Sequence, residues 1–114
     1  TFGHAIEPID SLDLLHGEAV SVGLVAAIAL SRAIGQLEGD WADGFVRRLE
    51  RIGLPVQLPQ AVPVAELLLR MGFDKKAHGG SHTLIVPHCP GRVSIVPDVP
   101  EEAIVAAWRA VGAD

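Results

Sequence analysis

A single cysteine, Cys89, is all the thiol chemistry this 114-residue sequence carries. That excludes an internal disulfide and fits a reducing, cytoplasmic compartment. No apolar run reaches the length of a membrane span. The longest, Ala19 to Leu30, is broken by Ser21 and Gly23 and bounded by Glu18 and Arg32, short of the roughly 20 residues a span needs. No signal peptide is visible. No internal repeat or low-complexity segment occurs, and no strand is followed by GxGxxG, so nothing here binds a dinucleotide by that route. Positive charge is also scarce: the formal net charge is −5, which gives no reason to expect nucleic-acid or membrane-surface partners.

What is present is ordinary globular composition, 49% hydrophobic and 20% charged, on a chain the size of one domain. Thr1 to Glu7 fits the end of a helix, stopped by Pro8, and Ile9 to Leu15 reads as a loop. A long helix follows from about His16 to Ile34, with Gly35 as a left-handed C-cap. It is so apolar that burial on nearly all sides is expected, which a chain this small has difficulty providing alone. A third helix is expected from an Asp40 N-cap, supported by Asp43, to Ile52 and Gly53, with Phe45, Leu49 and Ile52 on its inner face. Leu54 to Pro63 holds three prolines in ten residues and reads as extended connector. Pro63 opens a short helix to Leu69 or Met71, and MGFDKKAHGG reads as a polar loop. A small hairpin is expected over His82 to Pro87 and Arg92 to Val96, around Pro90 and Gly91. A last helix starts at Pro100 with Glu101 and Glu102 and runs to about Val111. The expected fold class is therefore mainly α, multi-helical with one small β-hairpin.

The chemistry concentrates at the start. His4 and Glu7, three residues apart, share a helix face. His16 stands at the head of the apolar helix beside Gly17, which would permit close backbone approach. Imidazole and carboxylate at helix ends suit metal ligation or proton transfer, although the spacing alone fits capping or surface histidines as well. Lys75 and Lys76 in their glycine-closed loop can hold a phosphate or carboxylate as point charges, or form an ordinary solvated pair. His78, His82, His88 and Cys89 lack zinc-site spacing. Trp41 and Trp108 read as packing residues.

TFGHAIE, then HGEAVSVGLVAA, then MGFDKK with glycines soon after, in that order, resemble the 3-dehydroquinate synthase family of sugar-phosphate cyclases. That family carries GHTxGHAxE, then HGEAVAxGM, then MxxDKK. A GLP at Gly53 to Pro55 and DVPEE near the end extend the resemblance along essentially the whole chain. It implies a NAD-binding α/β N-terminal domain and a helical C-terminal domain with the active site between them. Residues 1–114 look like part of that helical domain, without the N-terminal one. The resemblance makes His16 a ligand of the catalytic metal, zinc or cobalt, with a second histidine immediately before Thr1 and a glutamate further upstream. His4 matches a histidine that contacts substrate and handles protons. Lys75, or else Lys76, matches a substrate-anion contact. Thr83 stands where relatives often place an arginine.

The implied reaction converts a seven-carbon sugar-acid phosphate, 3-deoxy-arabino-heptulosonate 7-phosphate, to 3-dehydroquinate and phosphate in the shikimate pathway. NAD would be held by the missing domain, and the complete enzyme would be a homodimer in the cytoplasm. A metal-dependent polyol or alcohol dehydrogenase of related fold is the alternative enzyme, and a non-catalytic helical module the alternative without chemistry.

Overall fold

The computed structural model describes residues 1–72 and 81–114, the side chains of 81 and 82 excepted. Helix α1 (Phe2–Ile6) leads through a 3-10 turn (Asp10–Leu12) into α2 (His16–Ala33). Then follow α3 (Trp41–Arg51), α4 (Val64–Arg70), the antiparallel strands β1 (Ser81–Cys89) and β2 (Arg92–Pro100), and α5 (Glu101–Ala110). Among the described residues this is five helices and one two-stranded hairpin, the mainly α class expected. None of those helices is long and apolar enough to cross a membrane.

The apolar helix α2 is the axis of the core. Its Ala19, Val22, Ala26 and Leu30 are buried against Phe2, Ala5 and Ile6 of α1, Leu84 and Val86 of β1, and Ile104, Ala107 and Trp108 of α5. Trp108 is fully buried, edge-on to Phe2 with ring centroids 5.0 Å apart, and its indole N–H reaches the sulfur of Met71. Burial of α2 is broad but not complete: Val20 and Leu24 stay 41% and 42% exposed along one open side.

The extended connector is tied to the end of the chain. Leu58 N–H donates to the Val111 carbonyl, Asp114 N–H to that of Val62, and Val64 N–H to that of Asp114. A strand-like partner thus satisfies backbone groups that a proline-rich segment cannot pair internally.

Several expectations shift. Ile9 to Leu15 is not plain loop, since Asp10–Leu12 winds one 3-10 turn. Asp40 makes no side-chain cap to α3, and Asp43 lies instead 3.5 Å from Arg32 of α2. Ile52 is 72% exposed rather than packed, because α3 ends one residue earlier and the chain turns away at Gly53, whose φ is +90°. The hairpin is longer than its sequence suggests and carries register shifts at His82/Leu84 and Pro87/Cys89. Pro87, Pro97 and Pro100 are tolerated because a two-stranded sheet leaves each strand a free edge, where a missing N–H costs little.

Buried polar groups fasten the hairpin to the helices. Ser31, fully buried on α2, donates its hydroxyl to the Pro87 carbonyl. His88 turns Nδ1–H to the Gln36 carbonyl at 2.8 Å and Nε2 to the Ser94 hydroxyl, while its own carbonyl accepts from Trp41 Nε1 at 3.0 Å. Both ring nitrogens of His88 are therefore spent on the fold. Ser31→Ala should remove the bond to the partly buried Pro87 carbonyl, a loss of about 0.5–1.5 kcal/mol. A lowered urea midpoint checks this, and an unchanged midpoint would contradict it.

Candidate active site

Helices α1 and α2 cross at glycines. A Cβ built on Gly23 would stand 2.7 Å from Gly3 N and 3.0 Å from Gly3 Cα, and one on Gly3 would stand 3.2 Å from the Ala19 carbonyl oxygen. Both obstacles are backbone, which cannot rotate aside, so only glycine permits this approach. The close approach expected at Gly17 is not found, since among the described residues nothing lies within 4 Å of a Cβ at its position.

This crossing sets the end of α1 beside the head of α2 and leaves a groove of about 310 Å³ along their open side. His4, Glu7 and His16 line it, together with Val20, Leu24 and Ile85. The half-exposed apolar stripe of α2 is thus one wall, and Ile85 of the hairpin adds to it.

The three polar side chains are not equivalent. Glu7, the residue closing α1, accepts a hydrogen bond from His16 Nδ1 at 2.9 Å. An ionised carboxylate can only accept, so Nδ1 carries the proton of the neutral ring and Nε2 is left with its lone pair. His16 is largely exposed, with its side chain 69% accessible, so Nε2 is the ring nitrogen left for an outside ligand. His4 is exposed and faces the same groove. Helical spacing pairs Glu7 with His4, and both do line the groove, but the carboxylate is taken by His16, nine residues further on. Periodicity within one helix gives no sign of that pairing. Glu18, the other acid of the opening stretch, serves the helix instead. Its Oε1 accepts the Leu15 N–H at 2.9 Å and closes the start of α2.

A lone-pair imidazole nitrogen is a good zinc or cobalt donor. The donor set is nevertheless incomplete: among the described residues no three His, Cys, Asp or Glu side chains come together as a possible metal centre. His16 fits one ligand position, and the others would have to come from elsewhere. Lys75, Lys76 and His78 lie outside the described residues, as does the side chain of His82. Cys89 is partly buried and free.

Residues 1–77 match the family model for the 3-dehydroquinate synthase C-terminal region. A 3-dehydroquinate synthase of Xanthomonas campestris pv. campestris (strain 8004) is 39% identical over 111 residues, covering 92% of this chain and 30% of that protein. One from Synechococcus sp. is 33% identical over 112 residues, covering 97% of this chain and 30% of its own length. One from Pseudomonas fluorescens (strain SBW25) is 36% identical over 115 residues, covering all of this chain and 31% of its own length. The chain thus spans about 30% of the length of the curated relatives it matches. On the extent of these matches, and on glycine and histidine motifs that meet in one groove, the chain belongs to the 3-dehydroquinate synthase family.

Proposed function

We propose that this chain is the metal- and substrate-binding segment of a 3-dehydroquinate synthase, working in the cytoplasm with a nucleotide-binding half that holds NAD. The complete enzyme, a homodimer on this reading, would turn 3-deoxy-arabino-heptulosonate 7-phosphate into 3-dehydroquinate and phosphate for the shikimate pathway. The observation that carries the proposal is the convergence of His4, Glu7 and His16 on one groove, with His16 held so that Nε2 is free to ligate.

When bound, NAD would supply reversible hydride transfer and the zinc or cobalt ion a Lewis acid at the oxygen being oxidised. The chain's own part is positional and acid–base. His16 would hold the metal through Nε2. His4, in the same groove, would take up and return protons on the substrate. Val20, Leu24 and Ile85 form a half-exposed apolar wall of the groove against which a bound substrate would rest. Lys75, with Lys76 as its alternate, would offset the substrate's anionic groups.

The product distinguishes this from a polyol or alcohol dehydrogenase. The complete enzyme should release inorganic phosphate from the heptulosonate phosphate with no net NADH, since the hydride taken is given back. Net NADH formed from a polyol, without phosphate release, would overturn the proposal. In the same assay Lys75→Ala should raise KM; unchanged kinetics would move the anion contact to Lys76.

A further inference from the structure

We propose that Glu7 is a positioning residue for the metal site, fixing which nitrogen His16 offers to the ion. The inference rests on the reading of His16 as a ligand and adds a residue that has no role in the chemistry proposed for His4, His16 and Lys75. Three features carry it. Glu7 Oε1 lies 2.9 Å from His16 Nδ1. Glu7 sits at the C-terminal end of α1, a helix pinned to α2 by the Gly3–Gly23 crossing, so the carboxylate is held by backbone packing rather than by a mobile loop. Finally, both residues line the same groove, which leaves the opposite ring nitrogen as the one available to a ligand.

The tautomer makes the contact matter. A neutral histidine side chain in water favours the form with its proton on Nε2, the form that cannot ligate through that atom. A carboxylate on Nδ1 reverses the preference, fixes the ring plane and makes Nε2 a better donor. Partners of this kind typically carry about 10–100-fold in metal affinity. Glu18, two residues beyond His16, cannot substitute for Glu7, because its carboxylate is engaged with the Leu15 N–H.

The test uses the complete enzyme. Nitrogen-15 chemical shifts of His16 in the metal-free protein report the tautomer, and competition with a chelator reports zinc affinity. In the parent protein the proton should reside on Nδ1. Glu7→Ala should move it largely to Nε2 and weaken zinc binding about 10–100-fold. Glu7→Gln keeps an acceptor oxygen but loses the charge, so it should restore the tautomer and most of the affinity. If Glu7→Ala changes neither reading, or changes the tautomer while affinity stays the same, the positioning role is wrong. If Glu7→Gln is as damaging as Glu7→Ala in both readings, the carboxylate acts through its charge and not by orienting the ring. Zinc affinity unaffected by His16→Ala would bring down the ligand assignment itself, and the role of Glu7 with it. Glu7 is partly exposed on the groove, so neither substitution opens a void in the core.

Discussion

Replacing His16 by alanine is expected to strip the metal from the complete enzyme and abolish turnover while the fold survives. The survival follows from exposure: the imidazole is 69% accessible and makes one side-chain hydrogen bond among the described residues, to Glu7. Removing it deletes no core contact and leaves Glu7 free to meet water. Alanine is also a better helix former than histidine, so the head of α2 should not weaken. On the proposed assignment the metal, by contrast, would lose a direct ligand, which should cost more than the roughly 100-fold that loss of an orienting partner can reach. Elemental analysis after gel filtration would show the zinc gone and the far-UV circular dichroism unchanged. A variant that retained stoichiometric zinc would contradict the assignment.

The second large effect is expected at a position with no side chain at all. Gly23→Ala should destabilise the protein, although intrinsic propensity favours alanine over glycine inside a helix by about 1 kcal/mol. The new methyl would meet Gly3 N at 2.7 Å. Overpacking against atoms that cannot move aside typically costs about 1–3 kcal/mol, which outweighs the propensity gain. Relief would come only by prising α1 from α2, and that displaces Glu7 from His16. A fall in the denaturation midpoint should therefore accompany weaker zinc binding. Gly17→Ala is the matched control: with open space around it among the described residues, it should be neutral or slightly stabilising. Equal midpoints for the two variants would mean that the glycine crossing does not hold the helices together.

These two residues show where the sequence was legible and where it was not. Punctuation placed the elements well: Pro8 stops α1, Gly35 at φ +74° closes α2, and Pro100 precedes α5. These are local signals, read from one residue's own backbone limits. The hairpin was expected and is found, but its strands run past the expected ends at Pro87 and Val96, because prolines are tolerated on the free edges of a two-stranded sheet. The motif order pointed to His4 and His16, and both do line one groove. What no spacing rule could supply was the third dimension of that groove. The Glu7–His16 bond joins two helices across a turn, and the Gly3–Gly23 contact joins residues from different helices. Gly17 was the natural candidate for close approach by its place beside His16, yet the packing went to Gly23, on the buried side of α2, against Gly3 of α1.

Anomalous diffraction at the zinc edge, from crystals of the complete enzyme, would decide whether His16 is a ligand and through which nitrogen. A single metal peak is expected in the groove, about 2.0–2.1 Å from His16 Nε2, with the Glu7 carboxylate still on Nδ1. A zinc ion bound without His16, or held through Nδ1 with Glu7 displaced, would contradict the assignment.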